Sequence, residues 1–321
     1  MSERTRLELC GRLGYYPFSA YLQQRFGCKV QKVSIHAGFT CPNRDGTCGS
    51  GGCTYCINES FSPQAGKELR PISQQMADGM AYMRRRYKAK KFIAYFQAFT
   101  NTYASVTRLK ECYDAALDSP EVVGLAIGTR PDCVPEEVLD LLESYSRRVE
   151  IWVEYGLQSS HDRTLRRINR GHDFATFVDA VERTRRRAIR RGAHVILGLP
   201  GESQTDMMTT ACRLQALGLH GVKLHHLYIA RGTEMEKQFR TGEVSVLTAE
   251  SYVKLVCDFL ERLSPEVVVQ RLVGDTTSRD VLVAPVWPES KATVLRMISE
   301  EFGRRGTTQG SRASECAAVT T

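Results

Sequence analysis

The sequence predicts an α/β protein whose main unit is a partial (β/α)6 barrel. Three observations predict it: short β-branched runs recur along the chain, polar segments of helical period separate them, and six such strands stand in series. Because right-handed crossovers place the helices outside the sheet, strands in this arrangement run parallel and curl into a barrel or part of one. Functional groups of such barrels lie at the carboxyl ends of the strands.

The elements of the barrel follow in order along the chain. Strands are predicted at residues 30–36, 92–97, 122–128, 150–157, 194–199 and 222–229. Helices are predicted at residues 72–87, 105–117, 135–145, 174–191 and 204–217. Residues 1–29 then form an N-terminal lead-in, and residues 30–246 form the barrel.

The pattern changes near residue 247. A helix, a strand at 266–272, a proline-rich connection at 284–288 and a final helix to residue 302 predict a small C-terminal α/β extension over residues 247–306. Residues 307–321 are rich in Ser, Thr, Ala and Gly without a period, so we expect a disordered tail.

Composition limits the class of protein. The chain of 321 residues has no apolar stretch near the ~20 residues that cross a bilayer and no secretory segment at its start. We interpret seven scattered cysteines as buried or unreactive thiols of a reducing compartment. They are Cys10, Cys28, Cys112, Cys133, Cys212, Cys257 and Cys316. The sequence thus predicts a cytoplasmic protein with no membrane partner.

The other four cysteines follow the first strand in a glycine-rich loop: Cys41, Cys48, Cys53 and Cys56. Thiolates this close repel one another unless a soft, positively charged metal centre holds them. A zinc site would use all four, an iron–sulfur cluster with one open iron would use three, and unrelated thiols would use none. The single C-x2-C pair weakens the zinc interpretation, and a position at the carboxyl end of a strand favours a cluster. All three interpretations stay open on spacing alone.

Five segments of the chain, taken in order, resemble an uncharacterised bacterial radical S-adenosylmethionine (SAM) family. They are residues 38–47 with 51–56, residues 95–102, residues 128–133, residues 154–159 with 169–172, and residues 198–202. That family is related to the radical SAM core of the Elongator catalytic subunit and, more distantly, to oxygen-independent coproporphyrinogen III oxidase. The resemblance implies an enzyme with the radical SAM type of TIM-like barrel, a 4Fe-4S cluster and SAM.

The resemblance also implies which cysteines hold the cluster. They are Cys41, Cys53 and Cys56, in a C-x11-C-x2-C pattern that leaves Cys48 as a spare thiol. In this chemistry SAM chelates the fourth iron, and one electron breaks its carbon–sulfur bond to give a 5′-deoxyadenosyl radical that abstracts hydrogen from a substrate. A one-electron donor of the flavodoxin or ferredoxin type is implied as a partner.

Two groups of SAM contacts are implied near the start of the barrel. Tyr55, between the last two cluster cysteines, lies against the adenine, with simple loop packing as its alternative. Gln97, Ala98 and Phe99 occupy the place of the family's glycine-rich segment, where Gln97 would meet the amino group of SAM.

Later strands supply the other implied contacts. Gln158 and Arg170 correspond to the ribose- and carboxylate-binding residues of the coproporphyrinogen oxidase relatives. A planar guanidinium suits a carboxylate, although an exposed helix-end charge is the alternative for Arg170. Ile196 would pack on the adenine, and Gly198 would let the backbone approach.

A net charge of +8 makes RNA, and tRNA in particular, a candidate substrate, since several relatives modify tRNA. Basic runs at residues 84–91 and 183–191 nevertheless lie at helix ends, where the helix dipole favours exposed cations by up to ~1 kcal/mol each. Basic residues nearer the catalytic face could serve an anionic substrate. They are Arg130, Arg166, Arg167, Arg170 and Arg231.

Overall fold

The computed structural model describes residues 10–60, 68–274 and 280–319. Their centre is a curled sheet of seven parallel strands in the order β1-β2-β3-β4-β5-β6-β8, which forms a half-barrel. The strands are β1 Val30–Ile35, β2 Lys91–Phe96, β3 Val122–Thr129, β4 Glu150–Gln158, β5 Arg190–Leu197, β6 Gly221–His226, β7 Ile229–Ala230, β8 Val268–Arg271 and β9 Leu282–Ala284. The predicted partial barrel is confirmed, with one strand more than expected.

Most helices flank the sheet on its outer side, but the helix Phe18–Phe26 contacts Trp152 inside the barrel through Phe18 and Tyr21. The helices are α1 Phe18–Phe26, α2 Ile72–Tyr87, α3 Val106–Ala116, α4 Glu136–Ser146, α5 Asp162–Arg167, α6 Phe174–Arg185, α7 Gln204–Ala216, α8 Glu234–Arg240, α9 Ala249–Glu261 and α10 Lys291–Arg305. Hydroxyl caps fix several of their starts, as where Ser203 and Asp206 form a capping box at α7. Among the described residues no helix is long and apolar enough to cross a membrane.

Alternation along β4 divides the core into two parts. Val153 and Tyr155 are buried between the sheet and the helices, whereas Trp152 belongs to a separate cluster inside the barrel with Tyr95. Neighbouring side chains of a strand point to opposite faces, so Glu154 follows Trp152 on the inner side. The barrel interior therefore has an apolar floor with polar residues above it, toward the carboxyl ends of the strands.

The fourth helix–strand boundary differs from the prediction. The helix expected over residues 174–191 ends at Arg185, and β5 begins at Arg190, which pairs with Trp152 across the sheet. The arginine run between them has no apolar period that could mark where the helix stops and the strand starts.

The C-terminal extension is part of the barrel. The strand expected at residues 266–272 forms β8, and β8 pairs in parallel with β6 as the seventh strand of the main sheet. The sequence predicts this strand but not its partner, because β7 and two helices separate it from β6 along the chain.

The tail also differs from the expectation of disorder. Gln309 is buried, donates to the carbonyls of Ser264 and Val267 at 2.7 and 2.8 Å, and accepts from the backbone of Tyr16 at 2.9 Å. A 3-10 helix follows at Ala313–Val319. Specific hydrogen bonds hold this segment, and composition does not reveal them.

A disulfide ties this tail to α7. It joins Cys212 to Cys316, with a sulfur–sulfur distance of 2.14 Å. The interpretation of these two residues as isolated thiols is therefore corrected, whereas the other nine cysteines are free.

Candidate functional site

A cavity of about 190 Å³ lies inside the barrel at the carboxyl ends of its strands. Its lining includes Cys41, Cys53 and Cys56 but not Cys48. The Cys48 side chain is exposed, and its sulfur lies 3.8 Å from the Arg130 guanidinium. The structure thus brings three of the four clustered cysteines to one cavity and leaves the fourth outside it.

The geometry does not favour a single-ion site. Within residues 10–60, 68–274 and 280–319, no three His, Cys, Asp or Glu side chains converge in a way that could hold one metal ion. The zinc interpretation therefore gains no support. Thiolates on three different irons of a cluster stand further apart than the ligands of one ion, so a cluster does not need such convergence.

The glycine-rich loop is docked on the connection after β4. Gly52 has a φ of +81°, and a Cβ there would lie 2.9 Å from Nε of Arg44, so glycine is required. Asn169 donates to the Gly52 carbonyl at 2.8 Å, and Thr54 donates its backbone N–H to Ile168 at 3.0 Å. These contacts fix where the loop presents its cysteines.

Two nitrogen donors reach the buried sulfur of Cys53. Arg170 Nη1 lies 3.5 Å and Asn43 Nδ2 lies 3.7 Å from this sulfur. Donors to a ligating sulfur stabilise its thiolate form and tune an iron–sulfur cluster. Burial, together with Cys53, raises the pKa of Cys56 to about 11, and a cationic metal centre reverses such a preference for the neutral thiol. The three thiols and their surroundings therefore fit a cluster.

Arg170 is also fixed across β4. Its Nε and Nη2 donate to the Gly156 carbonyl at 3.0 and 2.6 Å. A Cβ at Gly156 would lie 2.7 Å from Nη2, so the glycine makes room for the guanidinium. Of its five N–H groups, two have no partner in these contacts and could meet a carboxylate in the cavity that Arg170 lines.

The predicted SAM residues lie around the same cavity, with one exception. Tyr55 packs against the apolar cluster that contains Ile196, and both line the cavity. Residues Gln97, Ala98, Phe99 and Gln158 line it as well. Gly198 does not; a Cβ there would meet Leu247 at 2.8 Å, so this glycine serves close packing of the chain against a leucine.

Backbone strain is concentrated at this cavity. In the part of the chain that the structure describes, five non-glycine residues have a left-handed φ. Lys88 caps the end of α2, but the other four belong to this site: Ala98, Phe99, Gln158 and Asn169. Such conformations persist where surrounding structure enforces them, and they cluster at active sites and ligand clamps.

Asn101 enforces the strained turn after β2. It is 1% exposed, and its Nδ2 donates to the carbonyls of Ala98 and Gly128 at 2.9 Å each. Its own carbonyl accepts from the Tyr113 hydroxyl at 2.7 Å. Asn101 lies in the motif at residues 95–102, which is the signal that could have identified it.

Arg130 does not have the predicted freedom to bind substrate. It is 2% exposed and forms a fork with Asp132 at 2.7 and 2.9 Å. It also donates to the carbonyls of Arg170 and Gly171 at 2.8 and 3.1 Å. Arg130 therefore supports the loop that carries Arg170.

The cavity continues past these residues to groups that were not among the predicted site residues. They are Asn58, Tyr95, Thr100, Glu154, His194, His225 and Arg271. Thr100 is fully buried, and its hydroxyl has no partner, so it is a polar group available to a ligand. Arg271 lies on β8, whose place in the barrel was not predicted.

Two protein-family models and several known proteins match this chain. Residues 43–212 match the radical SAM superfamily, and residues 219–304 match the radical SAM C-terminal domain. The chain is 42% identical to the uncharacterized protein YtqA of Bacillus subtilis over 92% of each chain. It is 24% identical to a tRNA uridine(34) acetyltransferase of Dehalococcoides mccartyi, over 70% of this chain and 56% of that protein.

A solved structure has the same fold. The Elp3 protein of the archaeon Methanocaldococcus infernus superposes with a TM-score of 0.67 at 16% identity, over 87% of this chain and 64% of that one. The half-barrel is therefore shared with that protein.

Proposed function

Since this chain belongs to the radical SAM superfamily, we propose that Cys41, Cys53 and Cys56 hold a 4Fe-4S cluster and that the cavity beside them binds SAM. The family is one of enzymes, and it implies both cofactors. When bound, they supply one-electron cleavage of the SAM carbon–sulfur bond, which yields methionine and a 5′-deoxyadenosyl radical that takes hydrogen from a substrate. The electron comes from a flavodoxin- or ferredoxin-type donor. The observation that carries the assignment is that these three thiols, without Cys48, line one cavity.

The chain's own residues bind and orient in this scheme. Asn43 and Arg170 donate to the sulfur of Cys53. The remaining N–H groups of Arg170 donate to the SAM carboxylate. Tyr55 and Ile196 offer the adenine an apolar surface. The amino group of SAM contacts Gln97, Ala98 and Phe99. The ribose of SAM contacts Gln158. Enclosure by the barrel excludes water from the reacting groups.

RNA is the candidate substrate that the names of the relatives favour. The tRNA uridine(34) acetyltransferase exceeds the matched region, so acetyl transfer is not carried over to this chain. The basic runs do not add to the case, because ion pairs account for several of their members. Arg84 pairs with Glu121, and Arg187 pairs with Glu136, Asp140 and Glu143.

We also propose a cytoplasmic location. Nine of the eleven cysteines are free, as expected in a reducing compartment, whereas the Cys212–Cys316 disulfide is unusual for one. Fractionation of cells that express the chain with a C-terminal epitope tests this, and recovery in an extracellular fraction would contradict it.

The ligand assignment is tested by anaerobic reconstitution with iron and sulfide, followed by metal counting and visible absorption spectra. Wild type and Cys48→Ser should each bind four irons and show the visible absorption of a cluster, whereas Cys53→Ala should lose both signals. If Cys48→Ser lost metal as completely as Cys53→Ala, and the wild type held stoichiometric zinc, the four-cysteine zinc site would replace this assignment.

A further inference from the structure

The inner side of the barrel carries a group of charged residues that the proposed cofactor contacts do not use. We call it the inner charged layer; it consists of Lys32, Glu154, Lys223 and Arg271. Glu154 is fully buried and accepts from Lys32 Nζ at 2.6 Å and from Lys223. His194 Nε2 lies 3.1 Å from the same carboxylate. The single carboxylate of the layer is therefore already occupied.

Arg271 has no such partner within residues 10–60, 68–274 and 280–319. It lines the cavity and stands opposite Lys223 in the pairing of β8 with β6. Among the residues that the structure describes, no carboxylate or carbonyl accepts from its guanidinium. A guanidinium is a cation with five N–H donors and no acceptor.

The layer is therefore short of negative charge. Among the described residues, three cations against one carboxylate leave an excess of two positive charges. Burial lowers the pKa of Lys223 well below its ordinary value, and an excess of one positive charge remains if Lys223 is neutral. Of the three cations only Lys223 is buried, whereas Lys32 and Arg271 are partly exposed. The Arg271 guanidinium is therefore open to the cavity that it lines, and its charge makes this end of the cavity a site for an anionic ligand.

Two histidines beside the layer add hydrogen-bonding groups without adding charge. The rings of His194 and His225 lie 6.2 Å apart, and both line the cavity. Burial and the nearby Lys223 lower the pKa of His194 to about 4, and burial with Arg271 lowers that of His225. Neutral imidazoles can donate or accept one hydrogen bond per ring nitrogen, which suits orientation of a bound group.

The depth of the site favours a small molecule. Arg271 lies at the level of Lys223 inside the barrel. A backbone phosphate of RNA has a nucleoside on each side, and both would have to enter the barrel with it. A terminal carboxylate enters at one end of its molecule and matches the planar fork of an arginine.

From these observations we propose that Arg271 and Lys223 bind the carboxylate of a small organic acid, and that this acid is the substrate. The proposal rests on the proposed function, since it assigns the substrate class of that same cavity. It favours a small acid over RNA.

The first test locates a minimal anion. Crystals of the reconstituted, SAM-loaded protein are soaked in bromide, in acetate, or in acetamide at the same concentration as acetate. Bromide anomalous signal and acetate density are expected at the Arg271 guanidinium, and acetamide is expected to be absent. Bromide found elsewhere on the protein but not at Arg271, or acetamide binding as well as acetate, would overturn the proposal.

Variants test the role of the charge. Arg271→Gln should weaken acetate binding about tenfold or more in a calorimetric titration, since a charge-assisted hydrogen bond is lost. Arg271→Lys keeps the charge and should retain bromide. The exposed Arg304, which pairs with Glu301, gives the matched control Arg304→Gln, which should behave as wild type. Equal acetate binding by Arg271→Gln and wild type would overturn the proposal.

Two further measurements separate a small acid from RNA, and the anion site from the proposed SAM chemistry. In filter binding with a single-stranded 30-nucleotide RNA, Arg271→Gln should match wild type; loss of RNA binding in this variant would favour RNA instead. The anion titrations are repeated on apo protein, so a failure of SAM binding or cleavage would count against the proposed function without deciding the anion site.

Discussion

Glu154 holds the inner charged layer together, and its replacement by glutamine should be strongly destabilising. The carboxylate is fully buried between Lys32 and Lys223, with His194 at 3.1 Å. Removing one partner of a buried ion pair leaves an uncompensated charge and costs about 3–5 kcal/mol. That is a large part of a typical stability of about 5–15 kcal/mol. Equilibrium unfolding of the apo protein in urea should therefore show a clear fall in the midpoint for Glu154→Gln.

An exposed ion pair supplies the control. Glu300 pairs with Arg296 one helical turn away, and both side chains are more than half exposed. Glu300→Gln should cost less than about 0.5 kcal/mol. If Glu154→Gln cost no more than Glu300→Gln, the layer would not be an electrostatic unit, and the reasoning about its excess charge would fail.

The same carboxylate predicts an acid dependence. Burial alone would raise the pKa of Glu154, but Lys223, Lys32 and His194 hold it well below its ordinary value. Because the folded pKa is depressed, the stabilisation is present above the unfolded value of about 4.3 and is lost as the pH falls through the folded pKa. The difference in unfolding free energy between wild type and Glu154→Gln should therefore be constant near neutral pH and shrink below about pH 4. A difference that grew in acid would contradict the assignment.

Three further changes test other parts of the structure. Cys316→Ser removes a disulfide that spans 104 residues, so it should lower the free energy of unfolding by about 2–4 kcal/mol in non-reducing buffer. Cys28→Ser, at a free cysteine, is the control. An unchanged urea midpoint for Cys316→Ser would show that the disulfide does not stabilise the tail. Asn101→Ala removes the side-chain donor to the Ala98 carbonyl, whereas the Gly128 carbonyl keeps the backbone N–H of residue 101 at 3.2 Å. The expected cost is about 1–3 kcal/mol for one buried polar group left without a partner, and a cost near zero by urea unfolding would mean that another group supports the left-handed turn. Burial, with Arg191 and Arg190, lowers the pKa of His220 to about 4, so its ring should stay neutral in an NMR titration from pH 7 to 5. The stability that comes from this neutral ring should be lost as the pH falls from about 6.5 toward 4. A titration midpoint of His220 near 6.5 would refute its burial.

The sequence predicts most of the barrel because strand and helix periods repeat along it. Five of the six predicted strands begin within about one residue of the observed start, since β-branched runs mark the buried strands of a parallel sheet. The exception is β5, whose first residues are Arg190 and Arg191. The parallel direction of the strands also followed from the βα pattern. The place of β8 in the sheet did not, because β8 enters the sheet only after β7 and two helices.

The candidate site is predicted in part. The loop after the first strand leads to four cysteines, and the resemblance selects Cys41, Cys53 and Cys56 among them, which line one cavity. A residue that only the fold brings to the site leaves no local pattern: Arg271 comes from β8 and reaches the cavity because β8 pairs with β6. The left-handed backbone at Ala98, Phe99 and Gln158 is likewise a property of the folded turn, which these residue types do not favour by themselves.

The most direct test of the central claim is formation of 5′-deoxyadenosine. The reconstituted protein is reduced with dithionite in the presence of SAM under anaerobic conditions, and the products are separated by chromatography. Wild type and Cys48→Ser should form 5′-deoxyadenosine and methionine, and Cys53→Ala should form neither. A wild-type protein that carries a full complement of cluster and binds SAM but yields no 5′-deoxyadenosine would contradict the radical mechanism.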